Sequence, residues 1–407
     1  MARLGDVFEI QITGEWGSEC TENETGTKVL RTTNFTPEGR ISYDDVVVRS
    51  INESKVEKKR LHCGDIILEK SGGTEKTPVG RVVFCDESIE ESIYLCNNFT
   101  QAMLVNQTIA IPRYVFYFMW NLHCSGRTDL LQNKTTGIRN LQVKSYLNEE
   151  CPLPTLDEQR KIAVVLDKVS DLIVKRRQQL DKLDEMVKAR FVEMFGDTIY
   201  NPYNWPTQQL EEMADIVSGI TKGRKTKDQD LIEVPYMAVS NVKDGYIDWT
   251  TVKTILATQS EVEQYHLLPD DILMTEGGDP DKLGRGAIIQ TPPENCIHQN
   301  HIFRVRLNEK LLLPCYFAEF LKHQKAKQYF LRCAKQTTGI ASINMRQLKG
   351  LTTLVPPLEL QNQFATFVEH TEKTKTTISR SLEKLETLKK ALMQMYFKPA
   401  NKKSIVN

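Results

Sequence analysis

Two stretches of the chain, residues 157–195 and 359–397, contain no Gly or Pro and carry apolar residues at alternating spacings of four and three. In the first, Ile162, Leu166, Val169, Ile173, Leu180, Leu183 and Val187 keep this rhythm, with Arg176 filling one position. In the second, Phe364, Val368, Ile378, Leu382 and Leu385 fall in the same register, and Thr371 and Lys375 weaken its middle. Such spacing turns one apolar stripe toward a partner helix, so the pattern predicts two long helices with a coiled-coil seam. Each would span roughly 58 Å at 1.5 Å per residue. A helix packed on its own globular domain is the simpler arrangement. Two matching seams in one chain favour pairing the helices with each other.

Elsewhere the period changes. Short β-branched runs ("DVVVRS", "GDIILE", "GRVVF", "TIAIP", "GAIIQ", "HIFRVRL") are separated by Gly, Asn and Pro, which predicts strands joined by turns. "PCYFAEFLKHQKAKQYFLR" from Pro314 predicts helix, with proline where a helix tolerates it.

The chain is a tandem duplication. An offset of 202 without gaps matches Asn98 to Asn300, Pro112 to Pro314, Tyr114 to Tyr316, "TTGI" at Thr135 to "TTGI" at Thr337, Gln159 to Gln361 and Phe195 to Phe397. Upstream the offset grows by about four, so "GDIIL" at Gly64 answers "DDILM" at Asp270. The predicted fold class is α+β: two tandemly duplicated mixed domains, each followed by a long helix. The expected boundaries are a first mixed domain over 1–152, a first helix over 153–199, a second mixed domain over 200–354, a second helix over 355–400 and a tail over 401–407.

Composition changes this picture little. Apolar content of 40% and charged content of 26% over 407 residues suit a globular protein of several domains. The start "MARLGDVFEI" lacks a signal-peptide pattern, and "YVFYFMW" is too short to span a membrane. Nine cysteines without C-x-x-C spacing imply neither a disulfide framework nor zinc, so a reducing cytoplasm is the expected compartment. Net charge is zero, but residues 1–200 hold 26 basic against 30 acidic residues and the remainder 27 against 23. Neither half has the basic excess of a nonspecific DNA coater.

Catalytic signatures are missing. There is no phosphate-binding P-loop, no G-x-G-x-x-G and no Asn/Asp-Pro-Pro-aromatic methyltransferase motif. "GDIILEK" resembles a nuclease cluster, but its duplicate "DDILMTE" loses the lysine, so a strand end is expected there. "HQNH" at His298–His301 has the histidine-free counterpart "CNNF", which points to a polar strand rather than a metal site.

The polar loops carry more. "SGITKGRKTKD" gathers Lys222, Arg224, Lys225 and Lys227 behind a glycine turn, as a phosphate-gripping loop or merely a solvated one. "EKSGGTEKTPVGR" offers Lys70, Lys76 and Arg81, and "TEGGDPDKLGRG" offers Lys282 and Arg285. Asn34 matches Asn241, and Asn98 matches Asn300; asparagine can pair bidentately with adenine in the major groove. The first-domain counterpart of the lysine loop, "TGEWGSECTENETGTK", is acidic. Similar frames with different loops suit two readers of different targets.

This layout resembles the specificity subunit of type I restriction–modification systems across the whole chain. "LPTLDEQRKI" and "PPLELQNQF" are similar to that family's helix lead-in, with Leu360 standing where the first copy has Glu158. The resemblance implies that the mixed domains are target-recognition domains, each reading half of a split double-stranded DNA site. It implies that the two helices pair as an antiparallel coiled coil. It also implies a chain that binds no cofactor. Methyltransferase subunits would bring S-adenosylmethionine, and a restriction subunit would bring ATP and Mg. A self-sufficient restriction or methylation enzyme is opposed by the missing motifs. A coiled-coil adaptor without sequence-specific DNA binding would leave the dissimilar loops unexplained.

Overall fold

The computed structural model describes residues 1–21, 25–75, 77–135, 137–224, 230–278, 283–337 and 340–398. The chain divides into two compact units, Met1–Gln178 with the chain from Ser379 onward, and Gln179–Ile378. Each mixed domain therefore shares a unit with part of each long helix.

In the first unit a four-stranded antiparallel sheet runs in the order Phe8–Thr13, Thr100–Val105, Ile66–Glu69, Val82–Phe84. A three-stranded sheet follows the order Val47–Arg49, Thr27–Leu30, Tyr94–Cys96, its last pair parallel. The second unit repeats this order with Ala214–Ser218, Ile302–Leu307, Ile272–Thr275 and Gly286–Ile288, then with Lys253–Ala257, Ile232–Met237 and Ile297–His298. The duplication in sequence is a duplication of topology. The central strands Ile66–Glu69 and Ile272–Thr275 are buried at every position, as strands covered on both faces must be.

Two expected elements differ. "TIAIP" is a turn rather than a strand, because the Ile109 and Ala110 N–H groups donate back to Asn106 O, both at 3.1 Å. The segment from Pro314 forms two helices, Pro314–Phe320 and Gln324–Cys333, divided where His323 adopts extended backbone.

The long helices run Leu156–Phe195 and Leu358–Tyr396. None of the twelve predicted seam residues is exposed. Thr371 sits buried with its hydroxyl donating to Phe367 O at 2.9 Å, and Lys375 pairs with Asp184 at 2.9 Å and Glu372 at 2.7 Å. The polar breaks in the second seam are thus satisfied locally. No described helix is long and apolar enough to cross a membrane, and all nine cysteines are free.

The repeated lead-in has a specific function in the fold. Gln159, fully buried, accepts the Ile111 N–H at 2.8 Å and donates to Pro154 O at 2.9 Å and Ile109 O at 3.3 Å. Gln361 repeats this with Leu313 N–H at 2.8 Å, Pro356 O at 2.8 Å and Leu311 O at 3.0 Å. One side chain thereby fastens the first turn of each helix to the loop that enters a domain helix. Tyr114 and Tyr316 reinforce the junction by donating to Pro152 O at 2.7 Å and Leu354 O at 3.2 Å. The Glu158/Leu360 difference also has a local meaning. Thr155 and Glu158 form a reciprocal cap, with Thr155 N–H to Glu158 Oε2 at 3.1 Å and Glu158 N–H to Thr155 Oγ1 at 3.3 Å. The second helix starts instead after Pro357, and Leu360 packs on the core.

Helix ends complete both cores. Phe195 lies 4.8 Å from Tyr316 and Phe397 lies 5.3 Å from Tyr114, between ring centroids. Phe191 and its repeat partner Met393 are buried beside them. Near Met393, Lys389 is also buried, with Nζ 3.9 Å from the Trp120 ring centroid and no carboxylate partner among the described residues. Burial pushes this amine down to about 8.

Truncation of Gln361 to Ala would strand three backbone groups and should destabilise the protein by about 2–4 kcal/mol; unchanged chemical denaturation would refute this role. Lys389 binds its proton less tightly folded than unfolded, where the ordinary value is about 10.4, so protonating it favours unfolding. That penalty is full below about pH 8 and fades as pH rises toward the unfolded value. Lys389→Met should therefore raise the thermal midpoint at pH 7 and give a smaller gain at pH 9.5. An equal gain at both would contradict the assignment.

Candidate nucleic-acid interface

The described residues of the two Thr-Thr-Gly-Ile stretches lie in hairpins. Strands Gln132–Thr135 and Ile138–Leu141 flank Gly137, whose φ of +85° is a conformation glycine adopts without strain. In the second unit Lys335–Thr337 pairs with Ile340–Ser342, two strands that include Thr337 and Ile340 of the second copy. In each unit one hairpin strand pairs with the glycines that follow the buried central strand: Ile138–Leu141 with Ser71–Gly73, and Ile340–Ser342 with Gly277–Gly278. Two motifs far apart in sequence become one small sheet.

A third loop joins them. Lys70 N–H donates to Phe99 O at 2.9 Å, and at the equivalent place Glu276 N–H donates to His301 O at 3.0 Å. Asn98 beside Phe99 is exposed, and Asn300 beside His301 is half-buried. Among the described residues neither side-chain amide has a hydrogen-bond partner. Both therefore retain the donor and acceptor that a base edge needs. Phe99 is 46% exposed. Where the first unit shows Lys70 and Phe99, the second shows Glu276 and His301, joined through His301 Nδ1 and Glu276 Oε2 at 2.5 Å. The frame is common and the exposed chemistry is not.

The other matched asparagines belong to the frame. Asn34 Oδ1 accepts the Arg31 N–H at 2.8 Å, and its Nδ2 donates to Ser42 O and Asp45 O, each at 3.0 Å. Asn241 does the same with Ala238 N–H at 2.9 Å, Asp248 O at 2.9 Å and Thr251 Oγ1 at 3.2 Å. Both are buried with every amide group used, which leaves nothing to offer a base. Their match across the repeat reflects a shared turn.

The basic residues separate in the same way. Arg81 grips Glu69 bidentately with two contacts of 2.9 Å, which raises the arginine's affinity for its proton. Arg224 grips Glu261, whose carboxyl it holds below the usual range, and so ties the start of the basic loop to helix Gln259–Tyr265. Lys222 is exposed, Lys70 and Arg285 are half-buried, and Arg285 has no carboxylate partner among the described residues. Lys76, Lys225, Lys227 and Lys282 lie outside the described residues. In the acidic counterpart loop, Glu15 pairs with Lys59 at 2.9 Å and Lys55 at 3.3 Å.

Metal chemistry finds no support in the candidate clusters. His298 is buried between Tyr265 O at 3.1 Å and Val217 O at 3.3 Å, and burial lowers its pKa to about 4. Asp65 and Asp271 lock the turns before the central strands by accepting the His62 N–H at 2.9 Å and the Leu268 N–H at 2.7 Å. Among the described residues no group of three or more His, Cys, Asp or Glu is placed to hold a metal.

Comparison with known proteins decides the family. The family described as "Type I restriction modification DNA specificity domain" matches residues 1–184 and again 202–387. The chain belongs to this family. It is a DNA sequence-specificity subunit. It is 21% identical over 384 residues to the EcoKI specificity subunit of Escherichia coli, covering 88% of this chain and 79% of that one. It is 22% identical to the StySPI specificity subunit of Salmonella potsdam over 91% and 81% of the two chains. A putative MjaX specificity subunit of Methanocaldococcus jannaschii is 28% identical over 197 residues, 48% of this chain and 46% of that relative. The crystal structure of a type I S subunit from M. genitalium shares the fold, with a TM-score of 0.56 at 14% identity over 98% and 96% of the chains.

Within this specificity subunit the two kinds of matched asparagine should respond oppositely. Asn241→Ala should lower stability by about 1–3 kcal/mol through stranded backbone groups. Asn300→Ala should leave the thermal midpoint within experimental error and relax the preferred DNA sequence. Reversal of the two phenotypes, read by thermal melting and methylation mapping, would overturn the division.

Proposed function

We propose that the chain reads a bipartite double-stranded DNA site, with one recognition domain (1–152 or 200–354) for each half. The observation that carries this reading is the pair of like frames that present different groups beside a matched asparagine (Asn98 or Asn300): half-buried Lys70 and exposed Phe99 in the first, half-buried Glu276 and exposed His301 in the second. Two identical readers would recognise a repeated half-site, whereas two different ones recognise unlike halves.

The long helices act as an antiparallel coiled-coil spacer in this proposal. Support comes from contacts inside each unit. In the first, Arg177 pairs with Glu386 at 2.6 Å and Leu166 shares a core with Met393. In the second, Lys375 pairs with Asp184 and Phe364 lies 5.5 Å from Phe191. Position rises along one helix as it falls along the other. Methyltransferase subunits carrying S-adenosylmethionine would dock on this chain and methylate flipped-out adenine. A restriction subunit using ATP and Mg would cut unmodified DNA, all in the cytoplasm. The absence of catalytic motifs in the sequence is consistent with such partners.

A spacer of this kind is a ruler. Lengthening must avoid the segment after Lys188, because Phe191 and Phe195 there are fully buried. Four residues inserted after Gln178 and four after Ile378 add about one turn, or about 6 Å, between the core-bound helix ends. DNA rises about 3.4 Å per base pair. The methylated site should keep both half-sequences and gain one or two base pairs between them. Methylation mapped at an unchanged spacing would sink the ruler.

A further inference from the structure

The two units differ at one arginine in a way that creates a site. Arg81 and Arg285 occupy equivalent positions, each following a left-handed glycine (Gly80 or Gly284) and preceding the edge strand of the four-stranded sheet. In the first unit Glu69, on the neighbouring central strand, holds the guanidinium in a fork. Its counterpart in the second unit is Thr275, which is too short and uncharged. Arg285 consequently has a buried Nε without a hydrogen-bond acceptor, and the Thr275 hydroxyl is unsatisfied too. A cation has been freed by removal of its carboxylate.

Arg285 lines a cavity of about 310 Å³. Lys188, Lys322 and Lys327 surround it, with His323 and Asp244. Charge accounting separates the cations in use from those available. Lys322 is committed to Glu319 at 2.9 Å, and Glu319 also faces His323 at 3.7 Å. Lys188, Arg285 and Lys327 have no ion-pair partner among the described residues, and Asp244 is the one carboxylate on the wall. Three uncommitted cations against one acid leave the wall with an excess of positive charge that favours an added anion. At the equivalent place in the first unit Lys389 and Lys390 also line a cavity, but no free guanidinium joins them: Arg81 is held by Glu69, Glu38 and Glu386 both pair with Arg177, and Trp120 and Ser125 stand where Lys322 and Lys327 do.

We propose that this cavity binds a phosphate group, gripped by the Arg285 fork and the Lys188 and Lys327 ammonium groups, and that this grip has no counterpart in the first unit. A planar guanidinium at the wall with two ammonium groups beside it matches a tetrahedral dianion or diester. The phosphate can come from the DNA backbone or from a small free phosphate. The DNA source rests on the reading given under Proposed function, and the grip would then position the second domain without reading sequence.

The test uses the full chain and a duplex carrying the site mapped from genomic methylation. Lys188→Gln, Arg285→Gln and Lys327→Gln combined should weaken duplex binding and lower the slope of log affinity against log salt by about two to three, roughly one per phosphate-facing cation. Base preference should not change. Thr275→Glu restores the first unit's lock on Arg285 without touching a lining residue and should lower the slope by about one. Inorganic phosphate is the second probe, titrated at fixed ionic strength. Competition between it and the duplex, lost in the triple variant, assigns the cavity to the DNA backbone. Phosphate binding that the triple variant loses but the duplex does not displace assigns it to a small free phosphate. Unchanged salt slope together with unchanged phosphate binding in the triple variant overturns the site. Wild-type chain that fails to prefer its mapped duplex would instead count against the DNA-reading function, a distinct result.

Discussion

The structure depends on how each domain core is closed. Neither mixed domain buries its central helix unaided: Tyr114 and Tyr316 are covered by Phe397 and Phe195, from the far ends of the two long helices. The near ends are fixed by Gln159 and Gln361, each satisfying three backbone groups that no strand or helix claims. Moving a helix end therefore means opening an apolar core and breaking buried hydrogen bonds together. The helix ends are thus anchored in cores and not merely tethered by loops.

On that anchored frame the two domains have diverged by small charge exchanges. Glu69 against Thr275 decides whether the following arginine is locked or free. Lys70 and Phe99 against Glu276 and His301 decide what the loop beside the Thr-Thr-Gly-Ile hairpin presents. None of these exchanges disturbs strand order or register. The scaffold persists through these exchanges, because the side chains involved are not those that close the core.

Much of this was legible in sequence where periodicity carried it. The heptad rhythm located both helices and their buried stripe, and the constant offset exposed the duplication. The same offset paired Phe195 with Phe397, but nothing in a linear pattern says that these rings cover Tyr316 and Tyr114. "TIAIP" looked like a strand because its residues favour one. A buried glutamine about fifty residues on supplied its hydrogen bonds instead. The candidate interface was harder to read, because identical residue types serve opposite ends. Asn34 and Asn241 spend their amides on turns, whereas Asn98 and Asn300 keep theirs, and only three-dimensional accounting of partners separates the pairs. Likewise Arg81, Arg224 and Arg285 are alike in sequence and differ in whether a carboxylate waits beside them.

Two unlike readers on one duplicated frame would write an asymmetric mark into the host genome. Genome-wide mapping of methylated adenine in a host carrying the intact system tests it most directly. The expected motif has two specified and non-identical halves separated by a fixed number of unspecified base pairs. A contiguous motif, or two identical half-sites, would contradict it.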